Sequence, residues 1–188
     1  MAMNLIRMMM VAFFLVLPVS AQALNAYGIQ VENTVVVNGQ TLQLNGFGLR
    51  SKWFVRVYVG SLYLNRQTSN VMEVINNQGE KLIRLTFLHS RVTRNKIIEA
   101  INEGFARNAG RFAESADAMR FLSLFVKDFF RGDVLDLVFS SDGSVIVKLN
   151  NGVLGTIESR QLQSALLKTF FGIYPADEAL KAGMLGRL

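Results

Sequence analysis

The sequence predicts an α+β fold built on an antiparallel sheet, and three observations carry that reading. Strand-like segments are joined by Asn38-Gly39, Asp142-Gly143 and Asn151-Gly152, which are two-residue signals for tight hairpins. Apolar residues recur at helical spacing in Ile97, Ile98, Ile101 and Phe105, and again in Leu162, Ala165, Leu166 and Phe170. Strands and helices do not alternate strictly, which disfavours a doubly wound parallel arrangement.

Residues 1–23 read as a cleavable signal peptide. Arg7 supplies the positive n-region, Met8 to Val19 the apolar run, and Ala21-Gln22-Ala23 the small-x-small cleavage site. Residues 24–188 then form a single mature domain with no membrane-spanning segment, and export to the periplasm is expected. Only Arg7 among the charged residues leaves with the leader, so the net charge falls from +6 to +5. That excess is spread along the chain and is not clustered with aromatics, so no nucleic-acid partner is expected.

Tyr27–Val37 has strand character and turns at Asn38-Gly39 into a return strand, Thr41–Arg50. Simple alternation puts Arg50 on the face of Leu42 and Leu44, but Gly46 and Gly48 could host a bulge, so that parity stays open. Residues 52–64 form the longest strand candidate. Trp53, Val55, Val57, Val59 and Tyr63 make its core face; Lys52, Phe54, Arg56, Tyr58, Leu62 and Leu64 make a face that is either a partly wet cleft or solvated sheet.

Thr68–Asn77 reads as a short helix capped by Thr68 or Ser69, and Lys81–His89 as a strand with Ile83, Leu85 and Phe87 on one face. Thr93 or Ser90 caps the next helix. Ser115 caps another, whose stripe of Ala118, Phe121, Leu122, Phe125, Val126 and Phe129 predicts a central buried helix. Core packing, or the wall of a lipid pocket, accounts for that stripe. A meander of Val134–Phe139, Val145–Leu149 and Val153–Ile157 precedes a helix from Ser159 to Phe171. Thr169 is the polar member of its stripe and suits a bond back to the helix carbonyl one turn earlier. Gly172 ends it, and Pro175–Lys181 starts a short last helix.

The chemistry visible in composition is thin. With no Cys and one His, thiolate nucleophiles, Cys-ligated metals and His-rich cages are excluded. His89, at a strand end, reads as a structural or surface residue. Gly46-x-Gly48 precedes no helix and is no dinucleotide fingerprint. No cofactor and no metal are expected.

Residues 44–64, Leu44-Asn45-Gly46-Phe47-Gly48-Leu49-Arg50 running on to Gly60-Ser61-Leu62-Tyr63-Leu64, resemble the N-terminal signature of the chalcone isomerase family, a GxGxR turn and then a strand ending in G-x-x-YL. The resemblance continues through the helix after Thr93 and returns at Ser164 to Gly172; it looks most like the exported bacterial branch of the family. It implies an open-faced β-sandwich, a large antiparallel sheet backed by helices. In the plant enzymes a phenolate adds to an enone, and an arginine stabilises the developing enolate. Arg50 matches that arginine, and Thr169 matches the family's Ser/Thr near the C-terminal helix. The family's strand threonine falls on Tyr58, its tyrosine on Val92 or Thr93, and its asparagine near Ala100, so two polar positions of five survive.

Losing one oxyanion donor costs about 10²–10³ in rate, so efficient cyclisation is not expected. The family also holds non-catalytic members that bind fatty acids with the same arginine. The resemblance therefore implies a binding protein for a fatty acid or other small apolar anion, with Arg50 as anchor and Tyr58 and Thr169 beside it. The alternatives are an intramolecular lyase (isomerase) with a rearranged site using Arg50, or a periplasmic scaffold whose protein partner the sequence does not identify.

Overall fold

The computed structural model describes residues 23–187. The signal peptide predicted over residues 1–23 lies outside the described residues apart from Ala23, which opens the first strand. The strands are β1 (Ala23–Ala26), β2 (Ile29–Glu32), β3 (Thr34–Val37), β4 (Gln40–Lys52), β5 (Val55–Leu64), β6 (Lys81–Phe87), β7 (Arg91–Val92), β8 (Phe129–Phe130), β9 (Val134–Phe139), β10 (Ser144–Leu149) and β11 (Gly152–Glu158). The helices are α1 (Val71–Asn76), α2 (Arg94–Ala109), α3 (Ala116–Ser123), α4 (Arg160–Phe171) and α5 (Glu178–Met184).

Seven strands form one antiparallel sheet in the order β11-β10-β9-β6-β5-β4-β3. Its inner face carries Tyr58, Leu62, Ile83, Leu85, Phe87, Leu135 and Leu137, which pack with Phe105, Phe121, Leu166 and Phe171 from the helices. Phe121 is fully buried and touches Phe105 and Phe125 edge-on or tilted, so its truncation to Ala would cost about 3–5 kcal/mol. The outer face carries Leu42, Leu44, Tyr63, Leu82 and Val138, covered by Ala26 and Val31 of the β1–β2 hairpin. Arg84 clamps that hairpin: it holds Asp136 through two bonds of 2.8 and 2.9 Å and reaches Glu32 at 2.6 Å. This is the helix-backed antiparallel sheet the sequence implied.

Several turns and caps follow the sequence reading. Asn38 and Gly39 both take positive φ (48° and 77°), the geometry that matches strand twist in a two-residue hairpin. Thr93, Ser115 and Ser159 each accept a bond from the first turn of α2, α3 and α4, and Gly172 closes α4.

Others are corrected. Tyr27–Val37 is two strands parted at Asn33: β2 pairs back on β1 through the turn at Tyr27 and Gly28, whereas β3 pairs with β4. Asn70 caps α1, and the Thr68 hydroxyl instead accepts from the Asn70 amide. The turn after β10 falls on Asn150 and Asn151, one residue earlier than expected. The helix after Ser115 stops at Ser123, and Phe129 belongs to β8, paired with β7. Asp128 redirects the chain there: its carboxylate accepts from the Arg94 amide at 3.0 Å and from Arg91 Nε at 2.7 Å.

Residues 52–64 also depart from alternation. Trp53 and Phe54 form the tip of the β4–β5 hairpin and are 87% and 102% exposed, so Trp53 is not core. Tyr58, Leu62 and Leu64, assigned to a wet face, are instead buried in the main core; Lys52 and Arg56 are exposed, as a solvated sheet face requires.

Candidate functional site: the Arg50 cleft

A bulge in β4 decides where Arg50 points. Leu44 pairs with Tyr63 and Gly46 with Leu62, so Asn45 is the extra residue. A one-residue insertion exchanges the faces of everything after it. Leu42 and Leu44 therefore face the outer layer, while Gly46, Gly48 and Arg50 face the helices. Asn45 is fixed in this position: its amide donates to Met184 O at 2.8 Å and its oxygen accepts from the Thr68 amide at 2.7 Å. The two glycines then let α5 lie directly on the strand. A Cβ at Gly46 would sit 2.3 Å from Gly183 O, and one at Gly48 would sit 2.6 Å from Leu180 O.

Arg50 stands opposite Tyr58 across β4 and β5, and its Nη1 donates to the Tyr58 hydroxyl at 3.1 Å. The guanidinium carbon also lies 5.5 Å from the Tyr58 ring centroid. Among the described residues, no carboxylate pairs with the guanidinium within 4.0 Å. The phenol beside it holds Arg50 above its ordinary range; burial pulls the other way, and Asp177 and Glu103 add weaker support from further off. Burial pushes the Tyr58 phenol up, partly offset by Arg50. At neutral pH the pair is a charged guanidinium and a neutral phenol, and most of the guanidinium N–H donors remain available to an anion.

Thr169 reaches the same place from α4. Arg50, Tyr58 and Thr169 all line a small inner cavity of about 20 Å³, walled by Leu85, Ile97, Ile101 and Phe170. That volume holds about one water. The Thr169 hydroxyl donates to Ala165 O at 3.0 Å, the back-bond expected from its place on the helix. Gly104 on α2 makes the approach possible, since a Cβ there would meet Thr169 Cγ2 at 2.3 Å. Gly104 escaped the sequence reading, although a glycine inside a helical stripe is itself a sign of close packing.

Outside lies a larger cleft of about 420 Å³ between the β4–β5 hairpin and α2. Trp53, Val55, Val57, Val92, Ile97 and Ala100 give it apolar surface, while Lys52, His89, Arg91, Lys96, Glu99 and Glu103 give it a charged border. Arg50, Ile97 and Ala100 line both spaces, so Arg50 stands at the boundary between the outer cleft and the inner cavity. His89, read as a structural or surface residue, lies half-buried at this cleft. Among the described residues, no cluster of acidic or imidazole side chains is arranged to hold a metal ion.

The fold is a helix-backed antiparallel sheet whose glycine-rich strand β4 turns Arg50 toward the helices. The chain belongs to the chalcone isomerase-like family, whose model matches residues 23–186. No curated protein matches the chain significantly. Among solved structures, an Arabidopsis thaliana fatty-acid binding protein shares the fold, with a TM-score of 0.70 at 16% identity, covering 87% of this chain and 96% of that one.

Proposed function

We propose that the protein is an exported, non-catalytic binder of a small apolar carboxylate, a fatty acid or a similar amphipathic acid, in a periplasmic compartment. The observation that carries this reading is Arg50: a charged guanidinium in a cleft with apolar surface and a charged border, bonded to a neutral phenol and not to a carboxylate among the described residues. A carboxylate docking there gains a charge-assisted pair in a partly desolvated place. Tyr58 positions the guanidinium, and Thr169 shapes the inner wall.

The two volumes decide where the ligand's tail goes. A space of about 420 Å³ falls in the range of roughly 300–1,000 Å³ typical of small-ligand sites, whereas the inner cavity of about 20 Å³ holds only a water. The tail therefore lies along Val55, Val57 and Ala100 in the outer cleft, and α2 must move away from α4 to admit anything deeper. The fatty-acid binding neighbour is consistent with this reading through its fold.

Native mass spectrometry of protein purified from its host's cell envelope, followed by lipid extraction, tests the proposal. A carboxylic acid that co-purifies with wild type and is lost with Arg50→Ala is the expected result. Protein that is empty, binds no acyl carboxylate on addition and stereoselectively cyclises enone phenols in an Arg50-dependent manner would replace the binding role with an isomerase.

A further inference from the structure

The tip of the β4–β5 hairpin is built unlike the other turns of the sheet. Gly39, Gly143 and the Asn150-Asn151 pair serve at neighbouring turns, residue types that suit tight turns. At this tip stand Trp53 and Phe54, both almost wholly in solvent, and Trp53 takes a positive φ of 59°. That backbone conformation is unfavourable for a bulky side chain. Val55 follows, also exposed. An aromatic pair projecting into water, with Trp53 on strained backbone, gains nothing for the fold, since neither ring is buried.

The charges around the tip have one sign. Residues 50–58 contain Arg50, Lys52 and Arg56 and no acid. Lys52 and Arg56 flank the aromatics and are exposed, and neither is in a salt bridge among the described residues. Glu99 and Glu103 stand across the cleft on α2, with Lys96 and Arg91 beside them on that side. Tryptophan and phenylalanine favour the boundary between headgroups and acyl chains, and flanking cations draw such a segment to anionic lipid. No helix among the described residues is long and apolar enough to cross a membrane.

We propose that the β4–β5 hairpin tip docks the protein on an anionic lipid surface, with Trp53 and Phe54 entering the interface and Lys52 and Arg56 meeting the headgroups. The tip is also one wall of the Arg50 cleft, so a docked molecule presents the cleft to the bilayer. Docking goes beyond ligand binding and stands without it, because none of the four residues is the anion anchor.

Trp53 is the only tryptophan in the chain, so fluorescence reads this tip without background. Protein purified from the envelope fraction is titrated with phosphatidylglycerol vesicles and, separately, with phosphatidylcholine vesicles. The expected result is a blue shift and co-sedimentation with phosphatidylglycerol that weaken as salt rises. Lys52→Gln with Arg56→Gln lowers that affinity by roughly 25-fold, at about fivefold for each cation. Phe54→Ser, at a fully exposed position, weakens binding while leaving thermal unfolding unchanged. Any apolar leader retained at the N-terminus is common to wild type and variants, so the differences report the tip alone. A Trp53 spectrum indifferent to phosphatidylglycerol, or vesicle binding equal in all variants, overturns the proposal. A shift that follows protein concentration without lipid overturns it in favour of contact between copies of this chain. Arg50→Ala leaves docking intact, which separates failure here from failure of the ligand reading.

Discussion

Gly46 and Gly183 meet backbone to backbone: a Cβ on Gly46 would lie 2.3 Å from Gly183 O, and a Cβ on Gly183 would lie 2.3 Å from Phe47 O. The contact seats α5 on β4 and, through the bulge at Asn45, leaves Arg50 on the helix-covered side. Because the obstructing atoms are backbone, neither side can yield by a rotamer change. Gly46→Ala and Gly183→Ala should each destabilise by at least about 1–3 kcal/mol, the usual cost of overpacking. Urea unfolding of the two variants measures this, with midpoints that fall at unchanged slope.

Tyr58→Phe removes the hydroxyl that accepts the hydrogen bond from Arg50 Nη1 at 3.1 Å and leaves the ring in place. Arg50 keeps its charge but loses its aim. Acyl carboxylate affinity should fall by roughly five- to tenfold, in keeping with about 1 kcal/mol for a hydrogen bond. Competition against a fluorescent acyl probe reads this directly.

Thr169→Val keeps the shape of the buried side chain and removes a hydroxyl already donated to Ala165 O. The change should cost no more than about 1 kcal/mol of stability and weaken binding far less than Arg50→Ala does. Gly104→Ala, which drives a methyl into Thr169, should be the more damaging of the two in thermal unfolding.

Tyr63 and Lys81 give stability a two-signed dependence on alkaline pH. Burial lowers Lys81 to about 8. The unfolded chain therefore binds more protons between about pH 8 and the ordinary lysine value, and stability rises with pH there. Burial raises Tyr63 to about 12. Its phenol then stays protonated in the fold while the unfolded chain ionises from the ordinary value near 10. Stability falls from about pH 10 to about pH 12, and Tyr58 acts in the same direction. Tyr63→Phe should flatten the alkaline decline while lowering the plateau by about 1 kcal/mol, since the bond to Glu32 O is lost.

What was legible in the chain was what local chemistry controls. Asn38-Gly39, the caps at Thr93, Ser115 and Ser159, and the stop at Gly172 each follow from residues that satisfy or relax nearby backbone. Arg50, Tyr58 and Thr169 were nameable from family resemblance, and the fold brings all three to one cavity. Gly46 and Gly48 signal a bulge or a close backbone approach but carry no side chain to mark a face, so periodicity leaves the face of Arg50 open; the bulge falls beside them at Asn45. The failures have a tertiary origin. Phe125 and Phe129 continue a helical spacing, but Asp128 binds Arg91 and the Arg94 amide and pulls the chain into β8. Trp53 looked like core because its size and parity fit. Its position at a hairpin tip depends on where β4 and β5 pair, which the alternation of residues 52–64 does not record.

The most direct test of Arg50 as an anion anchor is a calorimetric titration of wild type and Arg50→Ala with an acyl carboxylate and the primary alcohol of equal chain length. Wild type should prefer the carboxylate by about 10- to 100-fold, the worth of a charge-assisted hydrogen-bonded pair, and Arg50→Ala should have no preference. A carboxylate preference that survives unchanged in Arg50→Ala would place the anion elsewhere and contradict it.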